Sequence, residues 1–264
     1  MKKAALQFLV IAALFFACWG VLSQINWIML FGIEQTTLNT EEKLGEMIWD
    51  IMKRSETVIV KDSLTAPLDS IIDRICTSNS IDRDKIKLHL VKKEDINAFA
   101  LPGNHLVVYS GLIAACNNEA ELAGVLGHEI GHMENNHVMR KLIKETGFAV
   151  LVSLTSGNGN SENAKQILKL LSSSAYDRSL ETEADLSAAD YLIKSHINPT
   201  AMADLFYRMS AKESDIQNKL GWIHTHPDSR ERAKKIVEYV KGKKVRNEPV
   251  LAKGTWATLK SVAE

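Results

Sequence analysis

The chain has 264 residues, and its 32 lysines and arginines balance 32 aspartates and glutamates, so its formal net charge is zero with neutral histidines. A neutral chain lacks the basic surface that bulk binding to nucleic acid requires, and we expect no nucleic-acid partner. Hydrophobic residues make up 45% and charged residues 24%, which are ordinary values for a globular protein and exclude a mainly disordered chain.

The N-terminal segment, residues 1–33, differs from the rest in composition. Lys2 and Lys3 precede an almost charge-free stretch that is long enough to cross a hydrocarbon core, which takes about 20 residues. The lysines before this stretch and Glu34 after it predict that the N-terminus lies in the cytoplasm and the following domain outside it. We therefore expect this segment to be a membrane anchor or a signal segment.

Three interpretations of this segment stay open. Its apolar sequence continues past the expected cleavage positions, which favours an anchor that is retained. A lipoprotein signal would use Cys18, although Phe15–Ala17 forms a poor lipobox and Trp19 is an unusual successor. A cleaved signal peptide is the third interpretation.

Two helices and three strands are predicted next. Glu41–Ser55 and Leu68–Cys76 carry apolar residues at helical spacing, and Pro67 stands near the start of the second helix. Ile86–Val91 alternates with period two, which predicts a strand. Two further strands flank a tight Pro-Gly-Asn turn at residues 102–104. They are Ile96–Leu101 and His105–Ser110.

The remaining chain is predicted to be mainly helical. The helical pattern runs from Asn118 to Lys241, with breaks at Gly157–Asn160, Asn198–Pro199 and around Gly221–Pro227. Residues 247–264 are expected to form a tail packed on a domain that covers residues 34–246. The sequence therefore predicts an α+β fold that is mostly helical.

The three cysteines have no metal-type spacing. Cys76 and Cys116 could form a bridge in an oxidising compartment, but two buried free thiols are the favoured interpretation.

The sequence His128-Glu-Ile-Gly-His132 is an HExxH motif. Histidines four positions apart lie on one face of a helix, where they can hold Zn²⁺ at about 2.0–2.1 Å. Glu129 lies about 100° round the helix, where it can reach a water at the metal without being a ligand. This arrangement suits a metalloprotease in which the glutamate is the general base.

Two local features support a helix here. Asn118 can cap its start, and Glu121 follows three residues later as in a capping box. Gly124, Gly127 and Gly131 lie on one side of the helix, which predicts that another segment approaches its backbone closely. Tight helix packing without a functional role is the other interpretation, and the two are compatible.

A catalytic zinc needs a third protein ligand. His137 follows His132 by five positions, which does not fit the metzincin pattern, and it is interpreted as a solvated or supporting histidine. In Glu181-Thr-Glu-Ala-Asp185, the first and last carboxylates share a helix face, whereas Glu183 points about 200° away from Glu181. One carboxylate of the shared face could bind zinc while the other orients a ligand imidazole.

These motifs resemble metallopeptidase family 48, the group of HtpX-like and CAAX-prenyl endopeptidases. Asn97–Leu112 is similar to its NAFA-x-PGG…GLL strand pair, and Thr225–Arg232 is similar to its THPxxxxR segment. The resemblance covers roughly residues 85–235. It implies a gluzincin core with a small sheet over the HExxH helix, and one zinc ion per chain. The implied ligands are His128, His132 and Glu181, with Asp185 behind them.

The resemblance also implies how polypeptide substrates bind. An edge strand would pair with the substrate backbone, and the candidate residues are Asn97, Ala98, Phe99 and Ala100. The THPxxxxR segment would place His226 and Arg232 near the metal, where they could stabilise the oxyanion of the attacked carbonyl. Alternatively, His226 could occupy the open ligand position and hold the enzyme latent.

The sequence therefore predicts a zinc endopeptidase of the bacterial envelope, anchored to the membrane with its domain in the periplasm, that acts on misfolded or misassembled proteins. Two alternatives remain. One is a non-catalytic chaperone or assembly factor of the same fold, against which the intact Glu129 argues. The other is a processing protease with one dedicated substrate.

Overall fold

The computed structural model describes residues 33–158, 161–211 and 221–263. Its Cα packing divides the chain into two units, Met1–Thr40 and Glu41–Glu264, and the features discussed below belong to the second unit. The N-terminal segment up to residue 32 lies outside the described residues. Within the three described ranges, no helix is both long enough and apolar enough to cross a membrane.

Helices make up most of the described chain, which confirms the predicted class. They are α1 (Ile33–Ser55), α2 (Asp62–Asn79), α3 (Ser110–Ala115), α4 (Glu119–Glu134), α5 (His137–Thr146), α6 (Phe148–Ser153), α7 (Ser161–Ser173), α8 (Arg178–Lys194), α9 (Thr200–Ala211), α10 (Gly221–Thr225), α11 (Ser229–Val240) and α12 (Thr255–Ala263). A 3₁₀ turn occupies Arg83–Lys85, and a π-helical turn occupies Leu154–Asn158.

A small mixed sheet packs with these helices. Its strands are β1 (Val58–Ile59), β2 (Lys87–Val91), β3 (Ala98–Leu101) and β4 (His105–Tyr109), in the order β1-β2-β4-β3. The central strands β2 and β4 are parallel, and the outer strands β1 and β3 pair with them antiparallel. The predicted turn between β3 and β4 has positive φ at Gly103 (67°) and Asn104 (58°). Because β3 comes last in the strand order, it is an edge strand of the sheet.

Helix α4, which carries the HExxH motif, packs closely against α8 and α9. Its start is capped as predicted, because Asn118 Oδ1 accepts a hydrogen bond from the Glu121 N–H at 3.0 Å. A Cβ at Gly131 would lie 3.1 Å from the Ala184 carbonyl oxygen of α8, and one at Gly124 would lie 2.5 Å from Cβ of Met202 in α9. This confirms the close approach predicted from the glycines, and it brings α8 to the histidine face of α4.

Several helix boundaries differ from the sequence prediction. Helix α2 begins at Asp62 and contains Pro67 in its interior, rather than beginning near the proline. Asn135 and Asn136 end α4, and the positive φ of Asn136 (55°) starts the separate helix α5. Helical periodicity alone did not reveal this break, which depends on the left-handed backbone of Asn136.

The residues after 247 belong to the second unit and contact other parts of it directly. The N–H groups of Val250 and Leu251 donate to the Glu119 carboxylate at 2.7 and 3.1 Å. The Lys260 ammonium donates to the carbonyl oxygen of Cys116 at 2.9 Å. Cys116 and Cys76 are buried free thiols, and burial raises the pKa of Cys76 to about 11.

Candidate metal centre

Four buried side chains converge at the contact of α4 and α8. His128 and His132 come from α4, Glu181 comes from α8, and His226 directly follows α10. One ligand atom of each lies within 4.8 Å of the corresponding atoms of the others. Among the residues that the structure describes, these four form the one group that could hold a metal ion.

The separations within this group fit a zinc ion. Nε2 of His128 lies 2.9 Å from Nε2 of His132, and Nδ1 of His226 lies 2.8 Å from Oε1 of Glu181. Tetrahedral zinc with bonds of about 2.0–2.1 Å keeps its ligand atoms about 3.3 Å apart. Burial, together with the neighbouring His128, lowers the pKa of His132 well below its usual value. Its imidazole is therefore neutral, which is the form that binds metal.

Asp185 and Arg232 hold these ligands from behind. Asp185 Oδ1 lies 3.0 Å from Nδ1 of His128, so Nε2 of that ring faces the cluster. Arg232 donates to both Asp185 oxygens at 2.8 and 2.7 Å, and its Nη1 lies 2.7 Å from Oε2 of Glu181. The structure thus brings the two carboxylates that share a face of α8 onto one guanidinium.

The pKa values of both carboxylates are lowered. Burial alone raises the pKa of Asp185, but the Arg232 guanidinium outweighs it and holds this pKa at about 2. Burial likewise raises the pKa of Glu181, and His226 and Arg232 more than reverse the effect, so that its pKa lies well below the usual value. Both groups are therefore negatively charged at neutral pH, as metal binding and ligand support require.

Glu129 lies beside the cluster and has one free oxygen. Its Oε2 accepts a hydrogen bond from the Ala100 N–H of β3 at 2.8 Å, while its Oε1 is buried without a hydrogen-bond partner. Burial raises the pKa of Glu129 well above its usual value, and the charge of Glu181 raises it further. A raised pKa makes this carboxylate a better proton acceptor than an exposed glutamate.

His226 lies within the ligand group, as one of the two sequence interpretations requires. Its Nδ1 is 3.2 Å from Nε2 of His128, and its Nε2 lies 3.5 Å from Oε1 of Glu129 without forming a hydrogen bond. Trp222, one helical turn earlier, stacks on the ring with centroids 4.0 Å apart. Burial lowers the pKa of His226 to about 4, although Glu181 opposes the shift.

Sequence reasoning missed two residues near His132, Tyr176 and Lys141. Tyr176 stacks on this imidazole with centroids 4.1 Å apart, and the buried Lys141 lies 4.1 Å from the centre of the Tyr176 ring. His137, interpreted from the sequence as a solvated or supporting histidine, is not solvated: it is buried outside the ligand group, with its Nδ1 3.0 Å from Nδ1 of His132. The tyrosine and the lysine belong to no motif, so only the fold could have identified them.

The predicted substrate strand borders the site. Because Asn97 accepts from the Tyr109 N–H and pairing alternates along the ladder, the backbone groups of Ala98 and Ala100 point away from β4. Strand β3 is buried over its whole length, and helix α7 contacts both β3 and α10. The side-chain Oδ1 of Asn97 is buried without a partner. Substrate could therefore pair with this edge only after neighbouring side chains move.

A second pair of imidazoles lies on the central strands β2 and β4. Nε2 of His89 on β2 is 2.8 Å from Nδ1 of His105 on β4, and Trp49 stacks on His89 with centroids 3.6 Å apart. The nearest carboxylate, Glu46, is half exposed and lies 3.5 Å from Nε2 of His105. Burial lowers the pKa of His89 to about 3, and His105 adds to the shift.

Known proteins share this set of motifs. The sequence pattern of Peptidase family M48 matches residues 62–240, which include every site residue described above. The mitochondrial metalloendopeptidase OMA1 of Schizosaccharomyces pombe is 28% identical over 203 residues, which cover 76% of this chain and 60% of the relative. Metalloprotease LoiP of Escherichia coli is 31% identical over 164 residues, 60% of this chain and 64% of the relative.

A third relative is the beta-barrel assembly-enhancing protease of Yersinia pestis. It is 25% identical over 208 residues, which cover 74% of this chain and 43% of the relative. The matched region thus spans less than two thirds of the length of each of these relatives. The family pattern covers more than half of this chain, and the chain belongs to peptidase family M48.

Proposed function

We propose that this chain is a zinc-dependent endopeptidase that hydrolyses misfolded or misassembled proteins of the bacterial envelope. The observation that supports it best is the free Oε1 of Glu129 beside the ligand atoms of His128, His132 and Glu181. A buried polar atom without a partner is costly, and such atoms are concentrated where a protein binds or reacts.

The proposed chemistry divides between the metal and Glu129. When bound, zinc supplies Lewis acidity, which acidifies a water molecule and polarises a peptide carbonyl. Glu129 takes the proton of the attacking water at Oε1, while the Ala100 N–H keeps its other oxygen in place at 2.8 Å. The raised pKa of this buried carboxylate suits both taking the proton and returning it to the leaving amine.

Arg232 is assigned a positioning role in this proposal. The sequence suggested that it stabilises the oxyanion, but its N–H groups donate to Asp185 and to the carbonyl oxygen of His226, and its Nη1 forms an ion pair with Oε2 of Glu181. A guanidinium engaged on three sides has little capacity left for a substrate carbonyl. We assign it to holding the charge and orientation of the two carboxylates.

His226 is assigned the role of a latch rather than that of an oxyanion donor. Four protein ligands are typical of closed structural zinc sites, whereas catalytic sites keep one position open. With Nδ1 of His226 2.8 Å from Oε1 of Glu181, the ring would occupy the fourth position. The enzyme would then be latent until His226 leaves the metal.

The proposed substrate contacts use the backbone of β3. The outward N–H and C=O groups of Ala98 and the C=O group of Ala100 would pair with an extended polypeptide, while the Ala100 N–H stays on Glu129. Asn97 and Phe99 would complete the strand. Such pairing reads little of the substrate side chains, which fits an enzyme that acts on many misfolded proteins. It requires the buried edge to become accessible.

The envelope location rests on two observations. The charge-free segment after Lys2 and Lys3 predicts membrane association with the domain outside the cytoplasm. One relative in the same family carries beta-barrel assembly in its name.

The test compares purified full-length wild type with Glu129→Gln and with Glu134→Gln, an exposed glutamate of the same helix. Zinc content is measured by mass spectrometry, and casein cleavage is followed with and without a chelator. We expect Glu129→Gln to keep zinc and to lose nearly all hydrolysis, whereas Glu134→Gln behaves as wild type. A wild type and a His226→Ala variant that both carry zinc but never cleave protein would favour the non-catalytic assembly factor instead.

A further inference from the structure

His137 gives the zinc ligand His132 a buried partner. The left-handed backbone of Asn136 (φ 55°) turns the chain after α4, so that His137 begins α5 facing the site. Its Nδ1 lies 3.0 Å from Nδ1 of His132. Since Nε2 of His132 faces His128 at 2.9 Å, the atom that His137 contacts is the ring nitrogen on the side away from the cluster.

Glu183 forms the outer end of the same chain of contacts. Its Oε2 lies 3.2 Å from Nε2 of His137, and its side chain is half exposed at the surface of α8. The sequence placed Glu183 on the face of α8 opposite to Glu181, and the structure agrees. His137 bridges the resulting distance between Glu183 and the metal group.

The carboxylate determines which nitrogens carry protons. A carboxylate oxygen accepts hydrogen bonds, so Nε2 of His137 is the donor in its contact with Glu183. A neutral His137 then has a lone pair at Nδ1, which accepts the Nδ1–H of His132. The remaining nitrogen of His132, Nε2, is left with its lone pair directed into the cluster.

We propose that Glu183, acting through His137, is a positioning residue that fixes the orientation and tautomer of the zinc ligand His132. The inference rests on the proposed zinc site. It matches the direct support of His128 by Asp185 at 3.0 Å, with one imidazole inserted between carboxylate and ligand. The two supporting carboxylates, Glu183 and Asp185, come from the helix that also supplies the ligand Glu181.

The test measures zinc affinity of the full-length protein by competition with a chelator. Glu183→Ala removes an exposed side chain and should weaken zinc binding about 10–100-fold, the usual effect of losing a supporting partner. The matched control is Asp190→Ala, which removes another half-exposed carboxylate of α8 that is paired with Tyr239 and Lys243. It should leave zinc affinity unchanged.

Two further measurements separate positioning from a merely structural role. The Tm of the metal-free protein should be the same for wild type and Glu183→Ala, while the increase in Tm on adding zinc should be smaller in the variant. In a His137→Ala background, Glu183→Ala should have no further effect on zinc affinity, because its path to His132 is gone.

The outcomes distinguish this inference from the proposed function. A wild type that binds zinc and cleaves casein, with a Glu183→Ala variant of equal zinc affinity, would overturn the inference alone. An undiminished effect of Glu183→Ala in the His137→Ala background would also overturn it. A wild type that binds no zinc would contradict the proposed function and the inference together.

Discussion

Two pairs of histidines in this molecule, one buried and one partly buried, have nearly the same spacing but very different surroundings. The ring nitrogens of His128 and His132 are 2.9 Å apart, and those of His89 and His105 are 2.8 Å apart. Among the described residues, only the first pair belongs to a group that could hold a metal ion. Proximity of imidazoles is therefore not what distinguishes a metal site in this fold.

The difference lies in the carboxylates around each pair. Glu181 faces the first pair from within, and Asp185 orients His128 from behind at 3.0 Å. The second pair has one carboxylate nearby, the half-exposed Glu46 at 3.5 Å from His105, and an indole stacked on its other ring. Around His128 and His132, the carboxylates direct the lone pairs of the ring nitrogens toward a common point. Around His89 and His105, the neighbours only shield two neutral rings from solvent.

Removing carboxylates should make the first pair resemble the second, and we expect the largest effect here. Glu181→Gln removes a charged ligand and should cost more zinc affinity than any other single change in the group. Asp185→Asn should weaken binding less, by about 10–100-fold, because it acts through His128. Chelator competition on the full-length protein measures both. If Asp185→Asn were the more severe change, the assignment of ligand and supporting residue would be reversed.

Opening the fourth ligand position at the metal should raise activity, whereas removing a carboxylate should lower zinc affinity. If His226 is a latch, His226→Ala keeps zinc on the other three ligands and raises the rate of casein cleavage. The control is His224→Ala, which changes an exposed residue of α10, the short helix directly before His226. A decrease of about 10²–10³-fold would instead identify His226 as a donor to the oxyanion.

The second pair, His89 and His105, should make stability depend on pH, and this is the smallest of the expected effects. Burial, together with the nearby His105, lowers the pKa of His89 from 6.5 to about 3. Lys87 and Lys53 also lower this pKa, whereas Glu46 raises it. The folded protein thus disfavours the protonated ring that the unfolded chain accepts. The contribution of His89 to the free energy of unfolding is complete above pH 6.5, and it is lost progressively as the pH falls toward 3.

Urea unfolding of wild type and His89→Gln at pH 7, 6, 5 and 4 measures this contribution. We expect the urea midpoint of wild type to fall more steeply below pH 6.5, and the difference between the two proteins to shrink as the pH decreases. Parallel curves would show that His89 is protonated as easily in the folded protein as in the unfolded chain.

The sequence could predict the parts of the site that depend on local periodicity. The spacing of His128 and His132 and the shared face of Glu181 and Asp185 follow from 3.6 residues per turn, and the structure brings these side chains together. The closely packed side of α4 followed from its glycines for the same reason.

Features that depend on distant segments could not be predicted in this way. Tyr176, which lies between α7 and α8, stacks on His132 of α4, and no spacing within the chain reports that contact. The position of His137 depends on a backbone turn at Asn136 that helical periodicity does not encode. Strand β1 has only two residues, too few to show an alternating pattern.

The order of the ligands along the chain also determines when the proposed metal site can be completed during synthesis. His128 and His226 are 98 positions apart, and Glu181 lies 45 positions before His226. During synthesis the HExxH helix emerges well before the carboxylate, the histidine and the arginine that complete its surroundings. On the proposed function, a nascent chain carries Glu129 without a finished metal site, so we expect no hydrolysis before α8 has emerged and docked.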